Sequence, residues 1–140
     1  MKLQKNTRLA LTSVLAAAAQ PGRALSAGEI ARRHGVSAHH LAKVLHTLTG
    51  AGVLASTRGV GGGYRFAANA RRLTLMDVIE LFEALGTPAR APARRRTRRG
   101  AHAGLEGAIG VVLAEIDAMA EATLRSITIA TLLKIAARPA

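Results

Sequence analysis

Cysteine and tryptophan are both missing from this chain of 140 residues, and only 2% of it is aromatic. Without cysteine there is no disulfide, no thiolate nucleophile and no Cys-ligated metal cluster. A core with so few rings has to be assembled from Leu, Val, Ile and Ala, which suits helix packed on helix better than a large sheet. Acids are scarce too: 8 Asp and Glu stand against 20 Lys and Arg, for a net charge of +12. No apolar run reaches the ~20 residues of a membrane-crossing helix.

The surplus charge is unevenly placed. Residues 1–86 carry 11 Lys and Arg against 4 acids, residues 87–101 carry 6 Arg and no acid, and residues 102–140 carry 3 Lys and Arg against 4 acids. A basic first half and basic connector before a near-neutral tail point to a polyanion-binding surface with a separate association element. The plainer alternative is that an Arg- and Ala-rich composition reflects genomic base bias, with the Arg solvated. We expect a DNA-binding unit over 1–86, a basic flexible loop over 87–101, and a dimerisation helix with a terminal helix over 102–140.

The N-terminal Lys2, Lys5 and Arg8 precede a short apolar run, as in a secretion signal. Thr12, Ser13 and Gln20 interrupt that run, and Leu11, Val14, Leu15 and Ala18 follow helical spacing, which predicts an amphipathic helix starting near Asn6 as its cap and ending before Pro21. The expected location is cytoplasmic, with no membrane contact. Ser26 and Glu29 have the spacing of a capping box at the start of a short second helix, with Ile30 and Ala31 turned inward, Arg32, Arg33 and His34 outward, and Gly35 as the stop.

Ser37 caps a third helix whose buried stripe is Leu41, Leu45 and Leu48, with Val44 supporting it at the adjoining edge. Ala38, His39, His40, Lys43, His46 and Thr47 are left facing out. A solvated helix face usually mixes acids with its bases, because i,i+4 pairing stabilises it; this one has Lys and His and no acid. Gly52 ends the helix, and residues 53–58 and 64–67 read as a short hairpin. Its tip, Gly59-Val60-Gly61-Gly62-Gly63, allows positive φ and close approach to another surface, with Arg58, Tyr64 and Arg65 beside it. Nucleotide-phosphate loops are also Gly-rich, but they open a helix, and here a strand follows.

Thr74 and Asp77 give another capping signal, for a helix carrying Leu75, Val78, Ile79, Phe82 and Leu85 on one side and Asp77, Glu80 and Glu83 on the other, stopping at Gly86. Residues 87–101 hold two Pro, six Arg and no large apolar side chain, too little to offset the entropy of ordering. From Leu105 the apolar positions Leu105, Ile109, Val112, Ile116 and Met119 step by four and three, and Thr123 continues the row. This is the seam of a helix packed along a partner. Leu105 to Ser126 spans about 33 Å at 1.5 Å per residue, longer than one small domain covers, so we read a dimer interface; the alternative is an internal core helix. Thr128 caps a last helix with Ile129, Leu132, Leu133 and Ile135.

The N-terminal helix, the run SAGEIARRHGVSAHHLAKVLHTLTGAGVLASTRGVGGGYR, the LTLMDVIELFEAL helix and the long helix ending in SITIATLL together resemble the Rrf-two family of bacterial transcription regulators. The most specific piece is Arg58-Gly59-x-Gly61-Gly62-Gly63-Tyr64, similar to that family's wing signature. The resemblance implies a mainly α fold: a winged helix-turn-helix with a long C-terminal dimerisation helix, acting as a homodimer on double-stranded DNA. It places major-groove contacts on Ser37, His40 and Lys43 and a minor-groove arginine at Arg58; Ala42 stands where some relatives have an acid that tunes base preference. Cluster-binding relatives carry three cysteines in the interval that is Thr87 to Ala101 here. One nearby His102 does not replace them, and His39, His40 and His46 lack the i,i+4 pairing of a two-His site, so no cofactor or metal is expected.

The leading expectation is a dimeric, sequence-specific regulator, a repressor, with no cluster and an unidentified signal or small-molecule effector. The alternatives are a non-specific DNA-coating protein using the same charges, and a module whose Arg-rich loop binds an acidic protein partner. An enzyme is not expected: no Ser-His-Asp pattern can be placed, and the carboxylates fall on solvated helix faces.

Overall fold

The computed structural model describes residues 2–83 and 101–139. Leu85, Gly86, the Arg-rich interval through Gly100 and the side chain of His102 lie outside the described residues. The element order is α1 (Lys5–Ala18), α2 (Ala27–His34), α3 (Ala38–Gly50), β1 (Leu54–Thr57), β2 (Gly63–Phe66), α4 (Leu75–Glu80), α5 (Ala101–Ser126) and α6 (Ile129–Ala136).

Helix α1 is the floor on which α3, β2, α4 and α6 pack. It buries Leu9, Ala10, Val14, Ala17 and Ala18 together with Thr7 and Ser13; Leu11 and Leu15, expected on the buried face, sit half-buried at its rim. The Ser13 hydroxyl donates to the Leu9 carbonyl at 2.7 Å, so its burial leaves no unmet donor. Asn6 is not the cap. The helix starts at Lys5 behind Gln4, which makes no side-chain cap bond. Glu83 supplies the missing acceptor from 79 residues away: its Oε1 accepts the Gln4 N–H and the Thr7 hydroxyl, both at 2.9 Å. A carboxylate there also meets the positive end of the helix dipole.

Local signals set α2 and α3. Ser26 accepts the Glu29 N–H at 3.1 Å, but the reciprocal half of the expected capping box is absent. The Glu29 carboxylate turns to Arg23 at 3.3 Å and Arg33 at 3.5 Å, two cations in place of one backbone N–H. Gly35 closes α2 at φ 60°. Ser37 accepts the His40 N–H at 3.1 Å, and α3 buries Leu41, Leu45 and Leu48, the stripe its periodicity predicts, with Val44 from the edge of that stripe buried as well.

The hairpin pairs β1 with β2 antiparallel: Leu54 faces Phe66, Ala55 faces Arg65, Ser56 faces Tyr64 and Thr57 faces Gly63. A third segment joins it. Leu25 forms a bridge with Tyr64, a pairing that no local pattern near Leu25 announces.

Helix α4 is shorter than its sequence suggests. Thr74 and Asp77 make a true capping box, Thr74 N–H to Asp77 Oδ2 at 2.8 Å and Asp77 N–H to Thr74 Oγ1 at 3.2 Å. The helix ends at Glu80, and the Leu81 and Phe82 N–H groups reach back only three residues, to Val78 and Ile79. That tightening brings Glu83 to the start of α1, so the three acids do not share one solvated face. Asp77 caps, Glu80 binds Arg125 and Glu83 anchors α1.

The terminal helix belongs to the N-terminal unit. Thr74 and Thr128 form a bridge, the Leu75 N–H donates to the Ile127 carbonyl and the Ile129 N–H to the Leu73 carbonyl, each at 2.9 Å, and Ile129 is fully buried in the main core. Thr128 caps α6 by accepting the Thr131 N–H at 3.2 Å. The boundary drawn at residue 102 therefore does not separate α6 from the first unit. Helix α5 leaves that unit: every described side chain from Gly104 to Met119 is exposed. At 1.5 Å per residue its 26 residues extend about 39 Å. Near its base Arg125 binds both Glu121, at 2.9 Å, and Glu80 of α4. The Glu121 and Glu80 carboxylates raise the guanidinium's already high pKa.

Candidate nucleic-acid interface

Because Leu41, Val44, Leu45 and Leu48 hold one side of α3 in the core, the other side must face outward. His39, Ala42, Lys43 and His46 are exposed, and Thr47 is half-buried. Together with Tyr64 of β2 these residues line a groove of about 600 Å³ between the helix and the hairpin. Tyr64 is held there by its place opposite Ser56 and by the Leu25 bridge. Side chains alternate along a strand, so Arg65 points to the other face of the hairpin, away from the groove that Tyr64 lines. The groove thus brings His39, Lys43 and Tyr64 together with His46 and Thr47 of the same outward face and with Ala42.

His40 departs from expectation. It is half-buried, and its Nε2 is shielded from solvent with no hydrogen-bond partner. It does not line the groove. Ser37 is exposed at the N-terminal tip of α3 with its hydroxyl occupied as the cap.

The hairpin tip is exposed. Arg58 follows the last residue of β1, and Val60 projects fully into solvent. The Gly62 N–H closes a turn onto the Gly59 carbonyl at 2.9 Å. A side chain at Gly62 would begin 2.3 Å from the Thr57 carbonyl oxygen, and one at Gly63 would begin 2.5 Å from that of Leu25. Gly61, at φ 78°, has open space around it. The glycines at 62 and 63 are therefore required by packing of backbone on backbone.

The charge around the groove has one sign. Each of the chain's eight acids lies on another element: Glu29 is held by Arg23 and Arg33, Asp77 by the Thr74 cap, Glu83 by α1, and Glu80 and Glu121 by Arg125. Glu106, Glu115 and Asp117 lie on α5. A ridge-and-groove surface with cations and no carboxylate suits a polyanion with grooves of its own.

The fold and this surface define a winged helix-turn-helix DNA-binding protein. The model of the Rrf2 family, described as an iron-dependent transcriptional regulator, matches residues 3–135; the chain belongs to that family. It is 45% identical over 135 residues to the HTH-type transcriptional regulator BadM of Rhodopseudomonas palustris, covering 96% of this chain and 83% of that one. A shorter match, 36% identical over 80 residues, joins it to the regulator IscR of Vibrio vulnificus, covering 56% of this chain and 48% of that one. Among solved structures, T. potens IscR superposes with a TM-score of 0.75 at 26% identity, over 100% of this chain and 93% of the other. The oxidised form of Staphylococcus aureus CymR shares the fold, with a TM-score of 0.73 at 23% identity over 95% and 96% of the two chains. BadM and IscR are named as transcriptional regulators and not as enzymes.

The family description names iron. The donors here do not fit a thiolate-held iron cluster, because the sequence has no cysteine. Among the described residues, no three His, Asp or Glu side chains gather to hold a metal ion. No helix among the described residues is long and apolar enough to cross a membrane.

Proposed function

We propose that this protein is a homodimeric, sequence-specific transcription regulator of the cytoplasm, working as a repressor without an iron-sulfur cluster. The observation that carries this reading is the acid-free groove in which Lys43 and His39 of α3 face Tyr64 of the wing. Helix α3 enters the major groove, where Lys43 donates to guanine O6 and N7. Arg58, at the base of the glycine tip, is suited to the negative potential of a narrow A·T minor groove. Ser37 and the tip backbone at Gly61 to Gly63 lie close enough to phosphates to fix the register. A dimer occupying its operator excludes other proteins from the same DNA, which is repression in its simplest physical form.

The exposed side of α5 supports the dimer. Leu105, Ile109, Val112, Ile116 and Met119 are each more than half exposed, and the Thr123 hydroxyl is satisfied within the helix by the Met119 carbonyl at 2.8 Å. Val111 and Leu113 are exposed as well, so the apolar surface is broader than the seam. A helix apolar on most of its circumference is normally covered. Two copies joined along α5 present two α3 helices, for a pseudo-palindrome with half-site centres about 34–36 Å apart.

The test compares an operator selected by the protein from random duplexes with an unrelated duplex at physiological salt. A preference on the order of 10³ or more is expected of a specific regulator. A ratio near one would instead support a DNA-coating protein. If the Arg-rich interval binds an acidic protein, deleting it abolishes pull-down of that protein while operator binding persists.

A further inference from the structure

A second basic groove borders the N-terminal end of the reading helix. Lys5, Arg8, Leu9 and Thr12 of α1, together with His34 and Val36 at the end of α2, enclose about 190 Å³. Lys5 and Arg8 are exposed and His34 is half-buried. Residues three apart on a helix share a face, and like charges there repel. No carboxylate relieves them. Glu83, the acid at the start of α1, is turned to Gln4 and Thr7, and Glu29 of α2 is held by Arg23 and Arg33. Neither Lys5, Arg8 nor His34 makes an ion pair among the described residues.

The position of this groove decides what it is for. Val36 directly precedes Ser37, the cap of α3, so the groove borders the N-terminal end of the helix that the proposed function places in the major groove. The wing borders the outward face farther along, from His39 to Thr47. Helix α3 is 13 residues long, about 20 Å, whereas the major groove is about 12 Å wide. A helix longer than the major groove is wide does not fit wholly between the phosphate rims when it crosses, so the basic groove beside its N-terminal end falls near a phosphate backbone in that arrangement. The geometry points to the Lys5, Arg8 and His34 groove as a seat for DNA backbone phosphates on the rim beside the N-terminal end of α3, an interaction that positions the helix and carries no base information.

This inference rests on the DNA-reading function, so its test keeps the two apart. Full-length protein and the double variant Lys5→Gln, Arg8→Gln are titrated with the selected operator across a salt series. Removing one cation from a phosphate flattens the slope of log K against log salt by about 0.9. We expect a flattening of about 1.8 per protomer, weaker binding to operator and unrelated duplex alike, and an unchanged ranking of base substitutions. The second measurement leaves the protein intact: operators carrying single neutral methylphosphonates are scanned outward from the half-site. Neutralising one or two rim positions should weaken the wild type and leave the double variant unaffected. A wild-type protein that prefers its operator while the variant keeps the full slope, or a flat methylphosphonate scan, overturns the phosphate seat alone. A wild type with no operator preference overturns the DNA-reading function beneath it.

Discussion

Leu25 and Tyr64 exchange two backbone hydrogen bonds, the Leu25 N–H to the Tyr64 carbonyl at 2.9 Å and the Tyr64 N–H to the Leu25 carbonyl at 2.8 Å. The bridge ties the wing to the segment entering α2, so the hairpin and the helix-turn-helix are set relative to each other. Tyr64 is consequently held facing α3 instead of swinging with a free hairpin.

Gly63 makes this bridge possible. In Gly63→Ala the new methyl would start 2.5 Å from the Leu25 carbonyl oxygen, which is backbone and cannot rotate away. We predict a loss of roughly 1–3 kcal/mol in urea unfolding and weaker operator binding, because the wing has to move off Leu25. Unchanged stability would mean that the bridge does not form in solution.

The Glu83 anchor on α1 gives a second prediction. Thr7→Val removes one donor and should cost about 1 kcal/mol. Glu83→Ala leaves both the buried Thr7 hydroxyl and the Gln4 N–H without their acceptor, and should cost more, about 2–3 kcal/mol. Chemical denaturation of both variants at one pH checks the order, and the reverse order would contradict the remote cap.

A third prediction concerns α5. Val112 is 54% exposed in the single chain, so Val112→Glu leaves the core of the N-terminal unit intact and buries a charge only if a second copy covers it. Light scattering after gel filtration should change from dimer to monomer mass, with the helical circular dichroism of the N-terminal unit retained. The melting temperature of the wild type should rise with protein concentration, and that of the variant should not. A variant that remained dimeric would place the interface elsewhere.

The parts of the fold that could be read in the sequence are those with local causes. Ser37, Thr74 and Thr128 each cap the helix that follows them, and the Leu41, Val44, Leu45 and Leu48 stripe fixes which side of α3 is outward. The wing follows from its glycines and the strands beside them. What was hidden depends on partners far along the chain. Leu25 joins the sheet 39 residues before Tyr64, Glu83 caps α1, and α6 enters the core through Ile129 and the Thr74–Thr128 bridge. Each is decided by tertiary packing, which overrides local preference. His40 illustrates the same limit: its position on α3 lies at the edge between core and solvent, and periodicity alone does not say which way the ring turns.

The proposed function puts the reading of DNA on Lys43, and its most direct measurement is the base-by-base affinity profile of Lys43→Ala against the selected operator. Removing its hydrogen bonds to guanine should cost about 1–3 kcal/mol at one or two symmetry-related positions and make the protein indifferent to the base there, with other positions still discriminated. A variant whose profile matches the wild type at every position would contradict the placement of α3 in the major groove.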